Sequence, residues 1–177
     1  VRKLVLGVES KMKANKVTVI KGEAVINGRS SEGIEITSNG EKYIGKNLLI
    51  CTGSEASVPP IPGLQEAGEI IVTNREILEL TERPESLVVI GGGVIGMEFA
   101  SFYNSLGTNV TVVEMLPEIL GGLDFEISAM LRGIYTKKGI TFHLNARVTQ
   151  VDGNKVIFEK EGKTDTIEGE KILLSVG

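Results

Sequence analysis

The stretch Leu87-Val88-Val89-Ile90-Gly91-Gly92-Gly93-Val94-Ile95-Gly96-Met97-Glu98 decides how this chain is read. Leu87 to Ile90 is a short continuous apolar run, the pattern of a strand buried on both faces in a parallel sheet. Gly91-Gly92-Gly93-Val94-Ile95-Gly96 follows without a gap and matches G-x-G-x-x-G. In a chain with 22 glycines the match alone says little. Here it leaves a strand and opens a helix, Val94 to Leu106, stopped by Gly107. In that setting Gly91 makes a tight turn, Gly93 lets a pyrophosphate approach the backbone, and Gly96 lets helix and strand pack closely. The first amides of the helix and its positive end supply an anion site.

The segment that follows fits the same unit. Val110-Thr111-Val112-Val113 is a second buried strand and ends on Glu114. A carboxylate at a strand end about twenty residues past the motif can accept hydrogen bonds from both hydroxyls of an adenosine ribose. It would repel a 2′-phosphate, and Met115-Leu116-Pro117-Glu118 offers no Arg or Lys to receive one, so NAD is expected over NADP. Asp124 to Lys138 reads as a helix stopped by Gly139, and Ile140 to Leu144 as a third strand. Short strands around Val148, Val156-Ile157-Phe158 and Thr166-Ile167 follow, with Asp152-Gly153-Asn154 as a hairpin turn. Ile172-Leu173-Leu174-Ser175-Val176 is a last buried run. The predicted class is α/β: a Rossmann-like domain with a parallel sheet and an antiparallel meander over residues 87–177.

Ahead of the motif the periodicity differs. Val1, Leu4, Val5, Val8 and Met12 share one helical face. Val17 to Ile20, Gly33 to Thr37 and Glu41 to Ile44 are predicted strands, with Asn27-Gly28 and Asn39-Gly40 as turns. Asn47-Leu48-Leu49-Ile50-Cys51 is predicted to be a buried parallel strand ending at Thr52-Gly53-Ser54. Pro59, Pro60 and Pro62-Gly63 rule out regular pairing and mark a boundary. The division expected is residues 1–63, a connecting segment 64–86 holding a short helix between Thr73 and Leu80, and 87–177.

Composition excludes several classes. Nineteen basic and 23 acidic residues give a net charge of −4 without a run of either sign, so no nucleic-acid groove or membrane patch is expected. No apolar run reaches the ~18 residues of a spanning helix, and the chain reads as cytoplasmic. One cysteine and one histidine make neither a disulfide nor a metal cluster. Cys51 is expected to be a small buried hydrophobe and His143 structural. Lys11, Lys13 and Lys16 read as a solvated face. Glu98, in the first turn of its helix, is open between an acid favoured by the helix dipole and a ligand contact.

At these residues a resemblance emerges. Val89 to Glu98, together with Val110 to Glu114, resembles the pyridine-nucleotide site of the flavoprotein disulfide reductases, the pyridine nucleotide-disulfide oxidoreductase family. Cys51-Thr52-Gly53-Ser54 followed by Pro59 and Pro62-Gly63 is similar to the family's A-T-G-S…P-x-x-P-G segment, with Cys51 in place of alanine. Leu173-Leu174-Ser175-Val176-Gly177 resembles the strand closing its NAD domain.

The resemblance implies that residues 1–63 are the C-terminal part of an FAD domain and 87–177 an NAD domain. It implies NAD contacts at Gly91, Gly92, Gly93, Val94, Ile95, Gly96, Glu98, Glu114, Val148 and Gly177, and FAD contacts at Ala24, Thr52, Gly53 and Ser54. Glu98 would lie near the meeting of nicotinamide and flavin, and no residue of this chain would be catalytic. The family's first G-x-G-x-x-G, redox cysteine pair, later Gly-Asp and His-Glu pair have no counterpart here, which implies a central portion of a longer homodimeric enzyme. That enzyme would pass electrons from dihydrolipoamide, free or as a lipoyl group on an acyltransferase, through a disulfide and FAD to NAD⁺. The isolated chain is expected to bind NAD(H) weakly and to turn nothing over. The alternatives are another NAD-linked flavoprotein, such as a soluble transhydrogenase or mercuric reductase, and a non-catalytic nucleotide-binding module.

Overall fold

A computed structural model describes residues 2–176. They fall into two compact units that divide between Gly53 and Ser54. The division lies before the proline stretch rather than after it. Pro59 to Gly63 belongs with the second unit: the Val151 N–H donates to the Pro62 carbonyl at 2.8 Å, and Leu64 is buried in that unit's core.

The first unit holds α1 (Arg2–Ala14), β1 (Ala24–Arg29), β2 (Ile34–Ser38) and β3 (Glu41–Gly45). α1 carries the anticipated apolar stripe, and none of its described residues is buried. β1, β2 and β3 form an antiparallel sheet in that order. The Asn39-Gly40 turn between β2 and β3 has φ of +52° and +80°, the left-handed pair that matches hairpin twist.

Four expectations fail here. Asn27-Gly28 is a bulge inside β1 and not a turn: the register shifts between Ile26 and Gly28, and the chain reverses instead at Ser30–Gly33. Val17–Ile20 and Asn47–Cys51 form no strand, since no strand among the described residues pairs with either. A run written for burial on both faces then stands in the open, with Leu49 85% and Ile50 63% exposed. Cys51 is exposed rather than buried.

The second unit opens with a 3-10 turn at Gly68–Ile70, then β4 (Ile71–Val72) and a second 3-10 turn at Glu76–Leu78, where a short helix was expected. Next come β5 (Ser86–Ile90), α2 (Val94–Ser105), β6 (Asn109–Val113), α3 (Phe125–Lys137) and β7 (Thr141–His143). β8 (Ala146–Asp152), β9 (Lys155–Lys160) and β10 (Lys163–Glu168) form an antiparallel meander, and β11 (Lys171–Leu174) closes the unit. The five-stranded sheet runs β4-β11-β5-β6-β7, parallel throughout. The chain leaves β5 toward β6 and returns as β11 on the other side, so a topological switch point lies at the carboxyl end of β5.

Both faces of this sheet are covered, which explains its unbroken apolar runs. Leu87 and Val89 of β5 pack with Met97, Ala100 and Tyr103 of α2. Val88 and Ile90, on the opposite face, pack with Val156 and Phe158 of the meander. α3 is capped by Asp124, whose carboxylate accepts from the Glu126 and Ile127 amides. No helix among the described residues is long and apolar enough to cross a membrane.

Candidate functional site

The switch point is occupied by the glycine turn, and its glycines have different reasons to be glycine. Gly91 has φ of +104°, and a Cβ there would stand 2.3 Å from the Ser175 carbonyl oxygen. At Gly96 a Cβ would stand 2.3 Å from the Gly91 oxygen, so helix α2 could not seat against β5. At Gly92 it would press on the Glu114 carboxylate at 3.0 Å and on Ile119 at 3.1 Å. Gly93 is the exception. Its φ of −68° and ψ of 179° suit any residue, and a Cβ would meet nothing within 4 Å. Nothing in the chain itself requires glycine there.

Gly93 is the N-cap of α2, and no side chain caps the helix. Orphan amides at a helix start need an acceptor. On either side of Gly93 the surface opens into a crevice. One, of about 560 Å³, is lined by Glu114, Met115, Leu116, Arg147 and Val148. The other, of about 380 Å³, is lined by Ser54–Ser57, Asn74, Val94 and Ile95. Ser175 and Val176 border both.

Glu114 is aimed inward, not away. It is 9% exposed; its Oε2 accepts the Gly92 N–H at 2.5 Å and its Oε1 the Leu116 N–H at 2.7 Å. Its backbone is fixed as well: the Glu114 N–H donates to the His143 carbonyl and its own carbonyl accepts from Ala146. A carboxylate with four lone-pair sites and two donors keeps acceptor capacity toward the crevice.

The structure thus brings Gly91–Gly96, Glu114 and Val148 together. Glu98 is exposed in the first turns of α2 and lines neither crevice. Ala24 opens β1, and Thr52 and Gly53 are exposed in the first unit. Ser54 lies in the second, where its carbonyl accepts from Arg75. Gly177 lies outside the described residues. His143 is half-buried against Phe158, and burial, with a smaller contribution from Lys160, holds its pKa below the usual value. Among the described residues no group of three or more His, Cys, Asp or Glu could hold a metal.

Two cationic features escaped the sequence reading. Arg147 reaches the Glu114 crevice from β8, beyond the Met115–Glu118 segment that follows the carboxylate. Arg132 of α3 forks onto Glu118, with Nε 2.8 Å from Oε1 and Nη2 2.9 Å from Oε2. No local spacing signals either one.

The family model for pyridine nucleotide-disulphide oxidoreductases matches residues 1–177. The chain belongs to that family. Among curated members it is 44% identical over 179 residues to the dihydrolipoyl dehydrogenase of Acholeplasma laidlawii, covering all of this chain and 52% of that protein. It is 35% identical over 182 residues to that of Cupriavidus necator, covering all of this chain and 38% of the relative. The chain therefore spans about half, or less, of the length of the curated relatives it matches. Among solved structures, the HOCl-induced flavoprotein disulfide reductase RclA of Escherichia coli superimposes with a TM-score of 0.79 at 28% identity, covering 99% of this chain and 41% of that one. FAD and NAD are the cofactors that go with membership of this family.

Proposed function

We propose that the second unit docks NAD(H), and that the complete protein is a dihydrolipoyl dehydrogenase. The observation that carries the first statement is the unclaimed space at Gly93: a bare backbone at a helix start, flanked by two crevices, fits a diphosphate with one nucleoside on each side. The Glu114 crevice would take the adenosine, the carboxylate accepting from its ribose and Val148 bordering the base. The Ser54–Ser57 crevice would take the nicotinamide end, and Gly177 is proposed as a further nicotinamide contact on the family resemblance alone. Ala24, Thr52, Gly53 and Ser54 are proposed to touch FAD.

In this reading the complete enzyme acts as a cytoplasmic homodimer and converts a dihydrolipoyl dithiol and NAD⁺ to the lipoyl disulfide, NADH and a proton. The dithiol is carried free or on an acyltransferase. The bound cofactors supply the hydride chemistry. The chain's residues hold and orient: the turn amides fix the diphosphate, Glu114 fixes the adenosine, and the apolar wall of Val94, Ile95 and Val176 keeps water from the nicotinamide end. The 44% identity to a dihydrolipoyl dehydrogenase supports that activity over other members of the family.

Titration calorimetry on the 177-residue chain tests the docking. NADH binds, NADPH binds at least about tenfold more weakly, and Glu114→Gln narrows the difference. Equal affinities, or no heat from either nucleotide, would refute it. With a single cysteine the chain should reduce no NAD⁺ when given dihydrolipoamide; turnover would contradict the assignment of the dithiol chemistry to residues elsewhere.

A further inference from the structure

The loop from Met115 to Leu123, between β6 and α3, folds back over the glycine turn. Its Leu120 N–H donates to the Gly92 carbonyl at 2.8 Å, and Ile119 and Leu120 are buried in the core beneath α2 and α3. Leu120 pays for this position with φ of +56°, a left-handed backbone that a branched residue keeps only where its surroundings over-determine it. With the Glu114 carboxylate accepting from the Gly92 N–H and the Leu120 N–H donating to the Gly92 C=O, Gly92 is held through both of its backbone polar groups. Met115, Leu116 and Gly121 of the same loop form part of the wall of the Glu114 crevice. Whatever holds this loop therefore sets both the glycine turn and the crevice.

One feature holds it from outside. Glu118 is 6% exposed, and its carboxylate receives the Arg132 fork as well as the Ile119 N–H at 2.9 Å. A bidentate guanidinium–carboxylate pair fixes direction as well as distance. Remove the guanidinium and a buried carboxylate is left with one amide donor, so it turns out to water and takes the loop with it. We propose that Glu118 and Arg132 are positioning residues for nucleotide binding: their ion pair locks the Met115–Leu123 loop so that Gly92 stays clamped and the Glu114 crevice keeps its shape. The inference rests on the nucleotide reading of that crevice. Neither residue lines either crevice.

The test measures ADP-ribose and NADH affinity by calorimetry, and exchange of the Leu120 amide by NMR, on the 177-residue chain. Arg132→Met weakens both ligands about tenfold at a temperature where circular dichroism reports native structure, and speeds Leu120 exchange in the ligand-free protein. Arg132→Lys, which keeps the charge but not the fork, recovers part of both. Should Arg132→Met not fold, the Glu118→Gln/Arg132→Met pair leaves no buried unpaired charge and is expected to show the same loss of affinity. Ligand affinity within twofold of the parent in either folded variant overturns the proposal, as does unchanged Leu120 exchange. If the parent chain binds neither ligand, the nucleotide reading fails, while faster Leu120 exchange would still show the loop to be held by the pair.

Discussion

Replacing Gly93 with alanine separates what the fold needs from what a ligand needs. The backbone there has φ of −68° and ψ of 179°, open to any residue, and the added methyl would meet nothing within 4 Å. Two small effects on stability oppose each other. Alanine reduces the freedom of the unfolded chain, worth ~0.4–1 kcal/mol in favour of folding. It is also a poorer N-cap than glycine, by ~0.5–1 kcal/mol. The net change should stay within about 0.5 kcal/mol. A diphosphate seated on that backbone would instead meet the methyl at contact distance, and overpacking of this kind typically costs ~1–3 kcal/mol. That weakens NADH about fivefold to 150-fold. Gly96→Ala is the contrasting control: its methyl would lie 2.3 Å from the Gly91 carbonyl oxygen, so α2 must shift and stability should fall by ~2 kcal/mol or more. Urea unfolding followed by circular dichroism and calorimetry with NADH read the two quantities. NADH affinity within twofold of the parent in Gly93→Ala would refute the seat. So would a stability loss matching that of Gly96→Ala.

Tyr103→Phe removes the hydroxyl that donates to the Ile77 carbonyl at 2.9 Å in the core, so the second unit should lose ~1–3 kcal/mol in urea while NADH affinity is unchanged. The Arg132 fork holds the Glu118 carboxyl below its usual pKa, so its stabilisation is present above the unfolded value of ~4.3 and lost as pH falls through the lower folded value. The stability difference between the parent and Glu118→Gln should therefore close in acid; a constant difference between neutral and strongly acid pH would disprove it. Burial holds His143 below its usual pKa, so its contribution is present above the unfolded value of ~6.5 and lost as pH falls below it. His143→Gln should flatten the stability profile just below neutrality. Arg147 is the cation lining the Glu114 crevice, and Arg147→Ala should widen the preference for NADH over NADPH in calorimetry; a narrower preference would show that it does not face the nucleotide's 2′ position.

How far the sequence could be read depended on whether a residue's partners lie within the chain. β5, α2, β6 and β11 were legible because their apolar runs meet a covering layer in this unit, Leu87 and Val89 against α2, Val88 and Ile90 against the meander. The same grammar misled at Asn47–Cys51, whose apolar run has no paired strand among the described residues. Asn27-Gly28 shows a second limit: an Asn-Gly pair permits a left-handed backbone, and a bulge uses that freedom as well as a turn does. At the site, the glycines and Glu114 were legible because their roles are set by backbone geometry at fixed offsets from one strand. Glu118, Arg132 and Arg147 were not, because the β6–α3 loop, α3 and β8 bring them together around the crevice by routes that no local period encodes. The part that sequence reveals is the part that grips the diphosphate and ribose, while the part it hides is the scaffold that keeps the grip in shape. Variation among relatives in loop tethers such as Glu118–Arg132 should therefore change nucleotide affinity without altering the motif itself, and two members with identical glycine turns need not bind NADH equally well.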